Sequence, residues 1–426
     1  MLKNIMNNTV FILGGAQTDF SRNWSKEGKN FVAMMREVVE DSLENIGLDY
    51  SEINNIAKKG LLQLFVANFD GQQYFNQGNL GSFFTMIDKS FIGVPAMRYE
   101  AACASGAAAI DAASAKIRFG GIDMAIVLGI ELMKTQPAKL GASFIGSASY
   151  YEKEAEGIDF PFPKLFGRLA NEILKKYRVR ENLFMDCLAE ISRINYSNAK
   201  RNPFAQTRSW FMNKKHAQFR KDEFNQTIGG LLCVVDCSQI TDGAAVIILV
   251  SNKYAKIFAK KRKLSINKIP HIKGEGFTVA PVLFEDKMLL SKNQPYLLPL
   301  TKQAIDNAYI SAKMNIDSIN LIETHDCFTS SEYAVLSAFG ITKPGEEYKA
   351  IVNGTIDFNG KKPVNPSGGL IGTGHPIGAT GVRMMLDLYK QTANKAEQYQ
   401  ILNAKNGIML NIGGSATTNI AFIVGV

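Results

Sequence analysis

"YEAACASGAAAIDAASAKIRFGGIDMAIVLGIEL" occupies residues 99–132 and contains two patterns side by side. The first part places small and apolar residues at helical spacing, and Gly120 and Gly121 stop that pattern. The second part, "DMAIVLGIEL", is a continuous apolar run, which is typical of a strand that is buried on both faces. A helix followed at once by a buried strand predicts an α/β fold, in which helices cover the sheet.

The same alternation extends over most of the chain. Strand-like runs occur at 9–15, 61–69 and 242–251, and a helical pattern that ends at a glycine occupies 30–47. A helical pattern, a strand and a strand pair around a glycine turn repeat this order at 300–314, 319–325 and 407–424. We therefore expect buried, mainly parallel strands arranged in two similar halves.

One segment departs from this alternation. Between about residues 134 and 234, aromatic, charged, Asn and Pro residues become frequent, and helical segments follow one another without strands. We interpret this segment as an insertion that packs over the α/β core. The predicted organisation is an N-terminal half, 1–285, interrupted by the insertion at about 134–234, and a C-terminal half, 286–426.

The composition is that of a globular protein. The chain has 426 residues, of which 46% are hydrophobic. No uncharged apolar run reaches the ~18 residues that a membrane span needs, so no span is expected. The start, "MLKNIMNNTVFILGG", leaves no room for a signal peptide, and "FIVGV" at the end is no peroxisomal signal. We therefore expect a cytoplasmic location.

The charge balance is basic, with a net charge of +9. Seven basic residues and no acidic one lie between positions 196 and 221. They are Lys200, Arg201, Arg208, Lys214, Lys215, Arg220 and Lys221. This segment is either a solvated surface or a rim that attracts the phosphates of a small molecule. No nucleic-acid motif accompanies it, so no nucleic-acid partner is expected.

The five cysteines indicate a reducing compartment, since no export signal accompanies them. Cys233 and Cys237 have the spacing C-x3-C, but no second pair of ligands lies nearby, so we expect no metal site. Together with Cys187, these two are better interpreted as buried free thiols.

Cys103 is the first candidate for chemistry. Small residues surround it, and it lies where the helix of the opening segment should begin. A helix N-terminus presents free N–H groups, which lower the pKa of a thiol and stabilise a nearby oxyanion. Local sequence alone leaves two possibilities, a nucleophile and a buried structural cysteine.

Two further stretches contain scarce reactive residues. "THDCF" places His325, Asp326 and Cys327 in a row, and "GGLIGTGHPIGATG" presents His375 among small residues that let a ligand approach the backbone. Neither stretch matches a phosphate-binding glycine motif. His375 is either a general base or a hydrogen-bonded core histidine. The glycine turn in "NIGGSATT", 411–418, is either an oxyanion pocket or an ordinary β-turn.

Taken in chain order, these four stretches resemble the thiolase family. The matching motifs are the nucleophile motif Cys103-Ala104-Ser105, the motif His325-Asp326-Cys327-Phe328, Gly374-His375-Pro376 and the terminal Asn411-Ile412-Gly413. The resemblance covers the whole chain, and the insertion matches the family's loop domain. It implies a thiolase-like fold: two similar α/β halves that form a layered α-β-α-β-α core.

The sequence differs from the commonest thiolases at two linked positions. Asn411 stands where the family usually has a second catalytic cysteine, and His325 stands where it usually has an asparagine. Both changes match the sterol-carrier-protein-type branch with its H-D-C-F motif. This resemblance implies that Cys327 takes over acid/base duty. Asp326 is better interpreted as a residue that orients its neighbours than as one that reacts.

The resemblance also implies the chemistry. Cys103, deprotonated by His375, would hold an acyl group, and Cys327 would exchange a proton with the acetyl α-carbon. His325 and His375 would stabilise the enolate oxygen, and the backbone amides of Cys103 and Gly413 would form a second oxyanion hole. The reaction would be cleavage of 3-ketoacyl-CoA by coenzyme A, or the reverse Claisen condensation.

Coenzyme A would be a substrate, with no tightly bound cofactor, and its phosphates would suit the basic segment. The family's habit implies a homodimer or homotetramer, and a small accessory protein is compatible with this branch. Two alternatives stay open: a ketoacyl-synthase-like condensing enzyme, and an inactive thiolase-fold scaffold or binding subunit.

Overall fold

The protein is described here from a computed structural model that covers residues 9–218 and 225–426. Residues 1–8, where no signal peptide is expected, lie outside the described residues. The basic residues Arg220 and Lys221 also lie outside them. Within the two described ranges, no helix is both long enough and apolar enough to cross a membrane.

Eleven strands are described. They are β1 (Val10–Gln17), β2 (Leu62–Ala67), β3 (Ala96–Tyr99), β4 (Met124–Glu131), β5 (Thr227–Gly229), β6 (Leu232–Cys233), β7 (Gly243–Ser251), β8 (His271–Val279), β9 (Leu321–Thr324), β10 (Asn406–Gly413) and β11 (Thr418–Gly425). Nine of them form one sheet in the order β3-β2-β4-β7-β1-β8-β11-β10-β9, and β5 pairs with β6 separately.

Fifteen α-helices are described. They are α1 (Phe31–Ile46), α2 (Tyr50–Ala57), α3 (Gly71–Phe75), α4 (Ser105–Arg118), α5 (Ala138–Gly146), α6 (Pro161–Tyr177), α7 (Glu181–Ala199), α8 (Lys214–Gln218), α9 (Asn252–Lys261), α10 (Phe284–Ser291), α11 (Pro299–Ala312), α12 (Thr329–Leu336), α13 (Glu347–Val352), α14 (Gly369–Thr373) and α15 (Ile377–Thr392). Short 3₁₀ turns occupy Leu80–Met86, Lys89–Phe91, Val234–Asp236, Ile266–Lys268, Ile316–Ser318 and Glu397–Tyr399, and a π-helical turn occupies Tyr151–Ala155.

Helices α4 and α15 lie in the middle of the molecule. Along α15, every residue except Lys390 is buried, which is expected only of a helix that is covered on all sides. This helix packs against β4 and β7 on one side and against β10 and β11 on the other. Helix α1 covers the outer face of β1 and β7, and α11 covers β8 and β11. The predicted layered α-β-α-β-α core is therefore confirmed.

The two parts of the sheet meet at β1 and β8. Their ladder is short: Phe11 opposite His271, supported by a hydrogen bond of 2.8 Å from Ile12 N to the Pro270 carbonyl. Strand β8 then pairs along its length with β11. The glycine turn predicted at 407–424 is present as the β10–β11 hairpin.

The expectation of mainly parallel strands is wrong. Among the neighbouring strands of the large sheet, β2 is parallel to β3 and β4, and β9 is parallel to β10, but the other five pairings are antiparallel. The physical reason is that a continuous apolar run reports burial on both faces. Helices cover both faces of this sheet whichever way its strands run, so the pattern carries no information about direction.

Candidate active site

A tight turn between β3 and α4 presents Cys103. Ser105 closes this turn, because its Oγ accepts a hydrogen bond of 2.9 Å from Ala101 N and donates one of 2.6 Å to the Ala102 carbonyl. Ala102 has a φ of 51°, a left-handed conformation that costs a non-glycine residue about 1 kcal/mol or more. The surrounding contacts therefore hold the nucleophile candidate in a strained turn, two residues before the helix begins.

The predicted glycine turn lies directly against Cys103. A Cβ on Gly413 would collide with the Ala101 carbonyl oxygen, so only glycine fits there. The neighbouring amide of Gly414 donates a hydrogen bond to the Cys103 thiol. Burial raises the pKa of this thiol to about 12, and the Gly414 amide acts in the opposite direction by stabilising the thiolate.

His375 stands in a corresponding position, two residues before α15. Its backbone N–H donates to Thr241 Oγ1 at 2.9 Å, and its Nδ1 lies 2.7 Å from Thr380 Oγ1. Its Nε2 has no hydrogen-bond partner among the described residues. Burial, assisted by the positive charge of Arg383, lowers the pKa of His375 to about 3, so the imidazole is neutral.

His325 follows β9 and faces His375. The ring centroids are 5.2 Å apart with an interplanar angle of 84°. His325 Nδ1 lies 3.2 Å from Asn411 Nδ2, and its Nε2 has no hydrogen-bond partner in the described part of the chain. Burial, followed by the effects of His375 and Arg383, holds the pKa of His325 well below its usual value.

Cys103 Sγ and one ring nitrogen of each of His325 and His375 all lie within 4.8 Å of one another. That spacing brings a thiol, a base and a second imidazole to one point, which is what nucleophilic catalysis requires. The same spacing also suits a metal ion, and the prediction that no metal is bound stays a prediction.

Cys327 is the second buried thiol of this site, at 5% exposure. Its Sγ lies 4.0 Å from Ser331 Oγ, and its carbonyl accepts a hydrogen bond of 2.9 Å from Ser238 N. Burial raises the pKa of Cys327 well above the usual value, and the nearby Cys103 raises it further. The thiol is therefore protonated at neutral pH and available as a proton donor.

Asp326 joins separate segments of the chain. Its carboxylate accepts hydrogen bonds from the amides of Leu370 at 2.6 Å and Ile371 at 3.1 Å, and from Asn195 Nδ2 at 2.9 Å. Burial raises its pKa to about 6, against the effect of the two amides. These contacts anchor the H-D-C-F stretch to α14 and α7.

An open pocket with about 940 Å³ of empty space, including its mouth, lies above Cys103, Cys327 and His375. Its walls are mostly apolar. They include Met133, Ala142, Ile145, Phe160, Phe162, Ile228, Val234, Ile240 and Ile377. Most of these residues belong to the segment predicted as an insertion. His325 is not among the residues that line the pocket, but its ring lies against that of His375, which is.

Several supporting residues were not identified from the sequence. Thr380 and the contacts of Asn411 are described above, and Glu131 is a third case. The Glu131 carboxylate accepts hydrogen bonds from Phe69 N at 2.8 Å and Gly378 N at 2.9 Å, which fixes the first turn of α15. The one sequence signal for this role is the position of Glu131, a glutamate at the end of an apolar strand.

The basic segment contacts the site through Gln206, which is uncharged. Gln206 Oε1 accepts a hydrogen bond of 2.6 Å from Thr241, the residue that holds the His375 backbone. The structure describes five of the seven basic side chains, and two of these five contact acidic ones: Arg208 binds Asp19 at 2.7 Å, and Lys214 lies 3.7 Å from Glu190. These contacts favour a partly structural role for the segment.

Comparison with known families identifies the class of protein. The family described as "Thiolase, N-terminal domain" matches residues 10–253, and "Thiolase C-terminal domain-like" matches residues 284–426. The chain therefore belongs to the thiolase family.

Individual relatives indicate the kind of activity. The chain is 29% identical over 412 residues to an acetyl-CoA acetyltransferase of Methanothermobacter thermautotrophicus. This alignment covers 96% of the chain and 97% of the relative. The chain is 25% identical over 423 residues to sterol carrier protein 2 of Oryctolagus cuniculus, covering 96% of this chain and 71% of the relative. These relatives support thiolase-type acyltransferase activity.

A solved structure agrees with the fold. The structure named "Ltp2-ChsH2(DUF35) aldolase" superimposes with a TM-score of 0.76 over 99% of both chains, at 17% sequence identity. At this identity, the likeness supports the fold alone.

Proposed function

We propose that the protein cleaves 3-ketoacyl-CoA with coenzyme A, or runs the reverse Claisen condensation, through an acyl-enzyme on Cys103. The observation that carries this proposal is the convergence of the Cys103 thiol with His325 and His375 within 4.8 Å, in a thiolase-family chain. The open apolar pocket above them accommodates an acyl chain and the arm of coenzyme A.

The first half-reaction begins at Cys103. Its proton passes to His375 Nε2, and the thiolate attacks the 3-keto carbon of the substrate. The bond between C2 and C3 breaks, which leaves the acyl group on Cys103 and the enolate of acetyl-CoA. Cys327 donates its proton to C2 of the enolate, and acetyl-CoA leaves.

The second half-reaction reverses the proton transfers. The thiol of free coenzyme A gives its proton to the Cys327 thiolate and attacks the acyl thioester. Acyl-CoA leaves, and Cys103 recovers its proton from His375. His325 and His375 stabilise the enolate oxygen, and the amides of Cys103 and Gly413 stabilise the oxyanion of the acyl carbon. The amide of Gly414 is a further donor next to the same sulfur.

Several broader properties belong to the same proposal. We infer two thiolase halves, 1–285 and 286–426, interrupted by a loop domain at about 134–234, and a homodimer or homotetramer. We infer no tightly bound cofactor, a role in lipid metabolism and a cytoplasmic location. A small accessory protein as a partner is compatible with this proposal.

The test is a spectroscopic assay of acetoacetyl-CoA cleavage with and without free coenzyme A. We expect cleavage that depends on coenzyme A in the wild type and none in Cys103→Ala. Condensation without such cleavage would support the ketoacyl-synthase-like alternative. A folded wild type without either activity on a series of 3-ketoacyl-CoA chain lengths would support the scaffold alternative.

A further inference from the structure

The two active-site histidines differ in what their Nδ1 atoms face. His325 Nδ1 meets the side-chain amide of Asn411, whereas His375 Nδ1 meets the hydroxyl of Thr380. Which ring nitrogen of a neutral histidine carries the proton is set by the partner of the other nitrogen. Each partner therefore decides what the free Nε2 can do in the site.

The orientation of Asn411 is fixed by backbone groups on both sides. Its Nδ2 lies 3.0 Å from the Cys103 carbonyl, which only accepts, and its Oδ1 lies 3.4 Å from Ala107 N, which only donates. Its NH2 group therefore faces His325, with one hydrogen for the carbonyl and one for the ring. His325 Nδ1 must accept, so the proton of this imidazole lies on Nε2.

Thr380 produces the opposite result at His375. The Thr380 hydroxyl lies 3.0 Å from the Pro376 carbonyl, to which it donates within the first turn of α15. Its oxygen then accepts the Nδ1 proton of His375 at 2.7 Å. This arrangement makes two hydrogen bonds, whereas a hydroxyl that donated to Nδ1 would make one. The extra hydrogen bond favours this arrangement, and Nε2 is left without a proton.

We propose that Asn411 and Thr380 are positioning residues that hold His325 and His375 in opposite neutral tautomers. This inference deepens the proposed function and rests on it for its chemical meaning. His375 Nε2 is the free acceptor that takes the Cys103 proton, and His325 Nε2–H is a permanent donor for the oxyanion. Two acceptors would leave the enolate oxygen with the protonated His375 as its single imidazole donor, and two donors would leave Cys103 without a base.

The arrangement also explains the order of events. Once His375 has taken the Cys103 proton, its Nε2 becomes a donor and joins His325 at the enolate oxygen. Burial above all, and then the positive charge of Arg383, disfavours a charge on either ring in the resting state, so both histidines start neutral. Asn411 thus not only replaces the usual cysteine but also sets the tautomer of His325.

The direct test is nitrogen NMR on the complete protein labelled with ¹⁵N-histidine. The chain has only four histidines, and His216→Gln and His271→Gln variants identify the two outside the site. At pH 7 we expect one site histidine protonated at Nε2 alone and the other at Nδ1 alone. Two identical tautomers, or an imidazolium at either position, would overturn the proposal.

Variants link the tautomers to the reaction. Thr380→Val should abolish the preference for Nδ1–H at His375 and lower kcat about 10–100-fold with little change in KM, whereas Thr380→Ser should preserve both. Asn411→Ala should abolish the preference of His325 for the tautomer that is protonated at Nε2. Opposite tautomers in a protein without thiolase activity would count against the proposed function alone. Full activity of Thr380→Val with an altered tautomer would count against this inference alone.

Discussion

Gly381→Ala tests whether helix packing sets the distance between nucleophile and base. Gly106 of α4 and Gly381 of α15 lie face to face where the two central helices cross. A Cβ on Gly381 would lie 2.5 Å from Ala107 N and 2.9 Å from the Gly106 carbonyl carbon, and it would collide with Asn411 Oδ1. Ordinary contacts of a Cβ begin at 3.4 Å, so the helices must move apart by about 0.9 Å.

That displacement acts on the reaction because Cys103 precedes α4 by two residues and His375 precedes α15 by two. A misplacement of about 1 Å costs on the order of 100-fold in rate. We therefore expect kcat/KM for acetoacetyl-CoA cleavage to fall by about two orders of magnitude. Overpacking should also destabilise the fold by about 1–3 kcal/mol and lower the melting temperature.

The assay combines steady-state kinetics with thermal unfolding. Gly78→Ala is the matched control, because a Cβ there would meet only Gln72 Nε2, at 3.6 Å. It should leave both measurements unchanged. A Gly381→Ala enzyme with wild-type kcat/KM and a lowered melting temperature would refute the link from helix crossing to catalysis. Wild-type values of both would refute the close packing itself.

Three further changes have defined outcomes. Lys287 is 3% exposed and donates to the Val282 carbonyl at 2.7 Å and to Ser415 Oγ at 2.9 Å. Burial lowers its pKa from 10.5 to about 8, so the wild type should gain about 2–3 kcal/mol of stability between pH 8 and 10 as this group loses its proton. Lys287→Met should lack that gain in urea unfolding, and equal pH dependence of the two proteins would exclude the assignment. Cys327→Ala should lose deuterium exchange at the acetyl α-carbon, by about 10²–10⁴-fold, yet still acylate Cys103; unchanged exchange would remove Cys327 from the proton transfer. Phe162→Ala should enlarge the apolar pocket and raise kcat/KM for longer relative to shorter 3-ketoacyl-CoA substrates; an unaltered chain-length profile would place the acyl chain elsewhere.

Much of the fold follows from local patterns in the sequence. The helix of the opening segment and the buried strand after it are present as α4 and β4, and the glycine turn at 407–424 is the β10–β11 hairpin. Strand direction was not accessible, because it depends on which distant strands pair. The pairing of β1 with β7 joins residues that are more than two hundred positions apart.

The residues of the candidate site also fall into those that the sequence indicates and those that it does not. Cys103, His325, Cys327 and His375 could be named because each carries scarce chemistry in a recognisable motif. Thr380, Glu131 and Gly414 could not, because ordinary residues acquire their roles only through contacts across the fold. Asn411 was visible as a departure from the family pattern, but its double contact with Cys103 and His325 was not.

The proposed reaction requires Cys103 to carry the acyl group. The most direct measurement is mass spectrometry of peptides after brief incubation of the wild type, Cys103→Ala and Cys327→Ala with acetoacetyl-CoA in the absence of free coenzyme A. We expect an acetyl group on the Cys103 peptide of the wild type and of Cys327→Ala, and added coenzyme A should remove it from the wild type. An acetyl group on Cys327, or one retained by Cys103→Ala, would contradict the proposed role of Cys103.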